Sequence, residues 1–535
     1  MKNILKSLSL LLAALMLLTM IPAAAMAEAG GGDKITITVN TQANLGAEEA
    51  WQAVADAYME MHPEVEIVID LKPSEGYGEW LQNVYQTENP NTDIININLA
   101  GAIAVGNSIN WLEYAYNDSP YSDGIWADQF NIDAQSMDKA RGEMTALSLD
   151  SVQVIWCYNK TIFEEVGVEP PTTWDEFVEV CEKLEAAGYQ PIAMAGDYDS
   201  FWAGKMGWLA QIYADQTTRS MINVYRAQEG DWCYDPDMDG TWEYDPTDPY
   251  NDDPWNVNQN DVRVWKAMVD GDYSADTPGM RTVWTNLAKI FPKYAGGDNF
   301  FGTKDSQISS IFYQQKAAII LDGAWRIGQF ETQMGQLTSG EDLALGEDNV
   351  ISADGITMFE LGTFPMPSME GEGIEAPART IEVANGFFGA IKKDKAHDDA
   401  VADFMMFVSS AEGYTLFQSA GFEAGATING PTLVYGAELP GNVQDKFDSL
   451  EFIGNVQKGN GVRLARGLAG SAGDITESYR LFYDYSYRYL TGEIDIEGWI
   501  SEHCANIAQY LPEAMETSGV SMTDIENPQN APSGQ

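Results

Sequence analysis

The stretch "CYNKTIFEEVGVEPPTTWDEF", Cys157 to Phe177, holds a strand end, a short helix, two prolines and a new helix start. Read backwards from Asn159, "SVQVIWCYN" (Ser151–Asn159) is rich in β-branched and aromatic residues, as a buried strand is. "KTIFEEV" (Lys160–Val166) then gives a short helix ended by Gly167, the residue that most easily takes a left-handed cap. Pro170 and Pro171 forbid helix continuation and hold the connection extended. Thr173, followed three residues later by Glu176, forms a capping box. The next helix is therefore predicted from Trp174 to about Ala187, stopping at Gly188. Local chemistry accounts for the whole break.

Upstream, "KITITVN" (Lys34–Asn40) alternates apolar and polar residues as a half-buried strand does. "AEEAWQAVADAYMEMH" (Ala47–His62) spaces Trp51, Val54, Ala55 and Tyr58 as one helical face, and Pro63 stops it. "VEIVIDL" (Val65–Leu71) is a second strand, Glu79 to Tyr85 a second helix, and "TDIININLA" (Thr92–Ala100) a third strand. Strands and helices alternating in this way indicate β-α-β units and a largely parallel α/β sheet. Such sheets hold ligands beyond the carboxyl ends of their strands. Gln42 and Asn44, after the first strand, and Asn98, after the third, are candidates on that ground; ordinary solvated loops are the alternative.

The chain of 535 residues has room for two or three domains. Lys2 and Lys6 precede an apolar run from Leu8 to Ile21, and Ala25-Met26-Ala27 fits a leader cleavage site, so residues 1–27 read as a signal peptide and the protein as exported. No Cys follows that run to carry a lipid anchor, which leaves an extracellular or cell-envelope location. Lys and Arg number 29 against 81 Asp and Glu, and the net charge of −52 repels nucleic acid and anionic lipid. A hydrophobic fraction of 45% and 15 Trp exclude a disordered acidic chain. Three His cannot by themselves build a zinc site. Cys157 and Cys181 read as small core residues, and a Cys233–Cys504 bridge is left open.

At this point the order of segments resembles a known family. "YNKTIFEEVGVEPPTTWDEF", "FYQQKAAIILDGAWRIGQF" (Phe312–Phe330) and "VANGFFGAIKKDKAHDDAVADFMMFVSSAEG" (Val383–Gly413) are similar to segments of extracellular solute-binding proteins of ABC importers, the maltose-binding-like family 1. "HPEVEIVIDL" and "NPNTDIININL" match two further segments in the expected order. The resemblance covers most of the mature chain and implies a two-lobed, periplasmic-binding-protein-like fold of type II. In that fold the chain crosses the hinge several times, at "SVQVIWCYN" and again around Gly362. The expected lobes are residues 34–150 with 360–410, and 151–359 with 411–535. An acidic insertion, about 212–294, enlarges the second. The implied function is capture of a carbohydrate, more an oligosaccharide than a monosaccharide, by a monomer that delivers it to a membrane permease.

The resemblance places a ligand-stacking Trp at Trp325, packing between lobe elements being the alternative, and implies contacts from the other lobe near Tyr77 and Trp80, with core packing the stronger reading for Trp80. Arg326, beside Trp325, is a further candidate, with a plain surface cation the alternative. Asp197, Asp199 and Trp202 follow the predicted strand "PIAMA", with helix capping the alternative for Asp199. Asn385 offers its amide from "VANGFF". Within the insertion, "DPDMDGTWEYDP" sets Asp235, Asp237 and Asp239 before Gly240, like the first half of a calcium loop. Thr241 and Glu243 would add ligands, but position 12 is Pro246, so Asp245 or Asp248 would have to serve. No cofactor is required, and a structural calcium is an expectation.

Two other readings compete. An exported glycoside hydrolase would need two carboxylates about 5–9 Å apart. A sensory sugar-binding protein would share the fold and differ in its partner. An esterase is disfavoured, because the sequence around Ser471 lacks the first Gly of a nucleophile elbow.

Overall fold

The computed structural model describes residues 34–534 apart from 138–141, 203, 346–348, 442, 449, 451–455, 457–459 and 469–475. The leader read at residues 1–27 and Ser471 lie outside the described residues. In chain order the strands used below are β1 (Ile35–Val39), β2 (Val65–Ile69), β3 (Ile94–Asn96), β4 (Asp150–Asn159), β5 (Gln190–Ala193), β6 (Ala317–Gly323), β7 (Leu361–Phe364), β8 (Glu382–Asn385) and β9 (Phe388–Ala390). The helices are α1 (Ala47–Met61), α2 (Tyr77–Tyr85), α3 (Lys160–Val166), α4 (Trp174–Ala186), α5 (Lys205–Asp215), α6 (Asp261–Asp270), α7 (Pro278–Ile290), α8 (Trp325–Thr338) and α9 (Ala411–Glu423).

Two mixed sheets form. The first runs β9-β3-β1-β2, with β1 parallel to β2 and β3, and β9 antiparallel on the edge. The second is built on β4, whose ten residues are all buried. β4 pairs antiparallel with β8 over its first four residues, then with β6 on one side and β7 on the other; β5 adds in parallel to β6. Such a continuously buried strand suits a position flanked on both faces.

The opening stretch behaves as its local chemistry demands. Gly167 caps α3 with φ 71°. The Thr173 hydroxyl accepts from the Glu176 amide at 3.3 Å, and Glu176 accepts from the amides of Thr172 and Thr173 at 2.9 and 3.1 Å. α4 then buries Trp174, Phe177, Val180, Cys181 and Leu184.

Two large cores define the lobes. One gathers Ile37, Trp51, Trp111, Trp126 and Leu149 with Phe404, Tyr414 and Val434. The other gathers Trp156, Trp174, Tyr213, Trp265, Trp284 and Trp499. Residues 360–381, expected in the first lobe, belong to the second: β7 lies in its sheet, and Phe364, Met369 and Ile381 in its core. Conversely α9, expected in the second lobe, packs on α1 in the first. The return crossing is therefore not at Gly362, which pairs with Tyr158 inside the second sheet, but at Asn385 to Phe388, between β8 and β9. A third passage follows α9: Ile428 packs in the second lobe, Thr432 bridges Asp150, Val434 packs in the first, and Leu439 returns to the second. Within the insertion, α6 and α7 bury Trp265 and Trp284, and the Trp174 indole donates to the Asn286 carbonyl at 2.8 Å. The helices of that region are part of the second core.

Candidate functional site

A cavity of about 460 Å³ opens where the ends of β1 and β3 meet the first residue of β4 and the last of β8. The pattern is the one parallel sheets produce, since the chain leaves each strand at its carboxyl end and exposes loop groups there. Gln42 and Asn44 line it after β1, Asn96 at the end of β3, and Asp150 and Asn385 from the paired β4 and β8. Trp51, Phe388 and Phe417 supply its apolar wall, the last two set edge-on to Trp51 at 5.2 and 5.1 Å between ring centres. Trp51 is anchored by its indole N–H, which donates to the Thr41 hydroxyl at 3.0 Å.

The polar side is incompletely satisfied. The Asn96 amide donates to Gln42 Oε1 at 2.9 Å, but the Asn96 oxygen, itself buried, has no partner. Asp150 accepts from the Tyr414 hydroxyl through Oδ2 at 3.3 Å, while its buried Oδ1 has none. Burial pushes the Asp150 carboxyl up to about 6, a rise that the neighbouring Asn385 and Tyr414 only partly offset. Buried oxygens of this kind cost free energy until a donor reaches them.

Of the residues singled out from sequence, Gln42, Asn44 and Asn385 line this cavity; Tyr77, Asn98, Asp197, Asp199, Trp202, Trp325 and Arg326 do not. Tyr77 is buried and works one step behind: its hydroxyl donates to the Asn40 carbonyl at 2.7 Å and accepts from the Asn96 amide at 3.0 Å. It pins together the two strand ends that present Gln42 and Asn96. Asn98 is exposed on the short turn after β3. The strand stops at Asn96, so Asn96 takes the place expected of Asn98.

Arg326 is neither a surface cation nor a free ligand contact. It is 4% exposed and bonds Asp322, the Tyr313 hydroxyl and the Ser309 hydroxyl. Trp325 is half-buried at the start of α8, edge-on to Trp208 at 6.3 Å. Its ring lies so close over Gly323 that a Cβ there would meet it at 2.1 Å. Gly323 pairs with Val154, four residues along β4 from Asp150, which is about 13 Å at strand rise. α8 also starts at the rim of the cavity, because a Cβ on Gly328 would meet the carbonyl of Ile428 at 2.2 Å while Thr427 and Asn429 line the cavity itself.

A second aromatic group follows β5. Asp197 precedes the helical turn 198–201, and its buried Oδ1 is unpartnered. Asp199 is exposed. The Trp202 indole donates to the Arg466 carbonyl at 3.2 Å, and the Arg466 guanidinium lies over the Trp202 ring at 4.3 Å. Tyr198 stacks on Tyr479 at 5.1 Å. Among the described residues Arg466 has no carboxylate partner, and burial pulls its pKa down to about 10. Sequence reasoning passed over Arg466, Asp150, Asn96 and Phe417. For Asp150 there was a signal, an acidic residue heading a long apolar strand.

The loop of Asp235, Asp237 and Asp239 is closed by its own donors. Asp239, 3% exposed, accepts from the amides of Asp235 and Asn258 at 2.8 and 2.7 Å and from the Asn258 side chain at 3.0 Å. Asp235 accepts from the Asp237 amide at 2.9 Å, and the Thr241 hydroxyl donates to the carbonyls of Asp237 and Met238. Glu243 offers its carbonyl to Asn251. Among the described residues no three His, Cys, Asp or Glu converge as a metal cage. Cys233 and Cys504 are separate thiols.

Comparison with known proteins gives a consistent result. The chain is 51% identical over 39 residues to the Multiple sugar-binding protein of Streptococcus mutans, spanning 7% of this chain and 9% of that protein. It is 23% identical over 336 residues to the Maltotriose-binding protein of Pyrococcus abyssi, spanning 61% of this chain and 68% of that protein. Among solved structures, the apo-form of RafE from Streptococcus pneumoniae is similar with a TM-score of 0.55 at 14% identity, covering 90% of this chain and 99% of that one. The cyclic alpha-maltosyl-1,6-maltose binding protein from Arthrobacter globiformis gives 0.53 at 14%, covering 89% and 99%. At such identities the structural likeness is one of fold. The family model for bacterial extracellular solute-binding proteins matches residues 42–415, most of the chain, and the protein belongs to that family.

Proposed function

We propose that the protein is the capture subunit of an ABC importer, a receptor without catalytic activity that holds a carbohydrate, and more specifically an oligosaccharide, between its lobes. The observation that carries this reading is the pairing, in one cavity, of an aromatic wall at Trp51, Phe388 and Phe417 with unpartnered buried oxygens on Asp150 and Asn96. Sugars present apolar ring faces edged with hydroxyl donors, and that combination meets both. Asp197, Trp202, Trp325 and Arg466 are the second-lobe groups that would close over the other face of the ligand. The crossings at β4, Asn385–Phe388 and Ile428–Val434 would serve as the hinge. The names of the relatives, which bind maltotriose and other sugars, support the ligand class.

One feature weighs against hydrolysis. Among the described residues Asp150 is the single carboxylate lining the cavity, whereas glycoside hydrolysis requires an acid and a second carboxylate across the bond. A panel of neutral oligosaccharides, raffinose and maltotriose among them, should give calorimetric binding and a rise in Tm, without release of shorter sugars. Binding of amino acids or peptides in place of every glycan would overturn the proposal. Reconstitution with candidate permeases would separate import from sensing.

A further inference from the structure

One of the crossings between the lobes carries a strained backbone. Among the described residues three non-glycines have φ in the left-handed region: Asn89 at 51°, Gln315 at 56° and Phe387 at 39°. Asn89 is exposed in a bend, and Asn takes this conformation readily. Gln315 lies in the turn after the helix Asp305–Tyr313, where a left-handed residue is common. Phe387 is different. It stands between β8 and β9, and the left-handed backbone sets its Cβ against the following carbonyl oxygen.

The chain is fixed on both sides of this residue. Before it, β8 is laddered to β4 in the second sheet, ending with the Asn385–Asp150 pair. After it, β9 is laddered to β3 in the first sheet, beginning with the Phe388–Asn96 pair. Phe388 and Leu147 exchange both backbone hydrogen bonds at 2.8 Å, and the Ile97 amide donates to the Phe387 carbonyl at 3.0 Å. Gly386, at φ 100°, and Phe387 are left to absorb the turn from one sheet to the other. Glycine does so without steric cost, and phenylalanine does not. Packing does not account for the conformation: the half-buried Phe387 ring belongs to none of the hydrophobic clusters formed by the described residues. Its neighbours Asn385, Gly386 and Phe388 line the front cavity, and Phe387 does not.

We propose that Phe387 is a strained pivot: its left-handed backbone is a cost of the open arrangement of the lobes, relieved as they close on a ligand. On the hinge closure proposed above, which this inference rests on, Asp197, Trp202, Trp325 and Arg466 reach the ligand from the second lobe. None of them lines the front cavity, so the arrangement described is the open one. Rotation of one lobe moves the β4–β8 ladder against the β9–β3 ladder, and the torsions between the two ladders are those of Gly386 and Phe387. Relief of strain in one state is a differential free energy, as a contact is, and it adds to ligand affinity. Phe387 acts on the ligand through this balance, without touching it.

The test compares Phe387→Gly, Phe387→Ala and Phe387→Asn in the full mature chain. Glycine and alanine both remove the ring, so the difference between them reads the Cβ alone. Without ligand, Phe387→Gly should melt above Phe387→Ala, with Phe387→Asn between them, because Asn tolerates the left-handed region better than Ala. Calorimetric affinity for maltotriose and for raffinose should run in the opposite order, Phe387→Gly binding about tenfold more weakly than Phe387→Ala. A merely structural role would separate the melting temperatures and leave the affinities equal. Equal affinities in the two variants, or tighter binding by Phe387→Gly, would therefore overturn the coupling to closure. Equal melting would overturn the strain itself. If neither sugar binds the wild-type chain, the capture reading fails for these ligands, and the ligand-free melting order still upholds or overturns the strained pivot.

Discussion

Asp150 and Asp322 are both buried carboxylates in the second sheet, and they differ in what reaches them. Asp322, 2% exposed, receives the Lys205 ammonium at 3.0 Å, the Arg326 guanidinium at 2.9 Å and the Gly323 amide at 3.0 Å. Burial alone would raise its pKa, but Lys205 and Arg326 more than offset this and hold it low. Asp150 receives one hydroxyl at 3.3 Å and leaves an oxygen open. The first is a finished internal salt bridge that ties β6, α5 and α8 together. The second is a carboxylate with an oxygen left unbonded. Sequence reading offered Arg326 as a candidate contact and passed over Asp150, whereas satisfaction of hydrogen bonds favours Asp150.

The comparison can be broken by mutation. Arg326→Ala strands Asp322 against fewer donors and should cost roughly 3–5 kcal/mol of folding stability, read by urea denaturation; a loss below about 1 kcal/mol would show that the bridge is ornamental. Asp150→Asn should act the other way, leaving Tm unchanged or raised while oligosaccharide affinity falls about ten- to a hundredfold, since hydrogen bonds to a charged acceptor contribute about 1.5–3 kcal/mol. Equal affinity would remove Asp150 from the site. Trp325→Ala should lower affinity about tenfold with little loss of stability. A collapse of Tm instead would assign its half-buried ring to packing on Gly323 and Trp208.

Smaller effects follow from proton and metal linkage. Folded Asp150 holds its proton to about pH 6, against 3.8 for an ordinary aspartate. Between those values the folded chain binds more protons than the unfolded one, so the stability due to Asp150 falls as pH rises through this window and is flat above it. Sugar hydroxyls donate best to the anion, so affinity should rise over the same interval and level off near neutrality. In Asp150→Asn that pH dependence should vanish, and its persistence would assign it to another group. Calcium should produce the least change: with Asp239 already occupied by amide donors, adding it or chelating it should leave Tm where it is. A clear rise would assign a metal to the loop at Asp235 to Glu243.

The legible part of this protein was local. Gly167, the proline pair and the Thr173–Glu176 box decide where α3 ends and α4 begins, because each acts on its own backbone neighbours. The face of α1, the first three strands and the ordered family-like segments were readable for the same reason, and with them the α/β class, the two lobes and the positions of Gln42, Asn44 and Asn385. Lobe boundaries were not, because α9 and β7 are chosen by partners hundreds of residues away. Nor was the difference between Asp150 and Arg326, since both are charged residues at strand ends. Only the folded chain counts their donors. Sequence fixes where a strand or helix can start and stop, and tertiary structure alone decides which buried polar groups are already satisfied and which are left for a ligand.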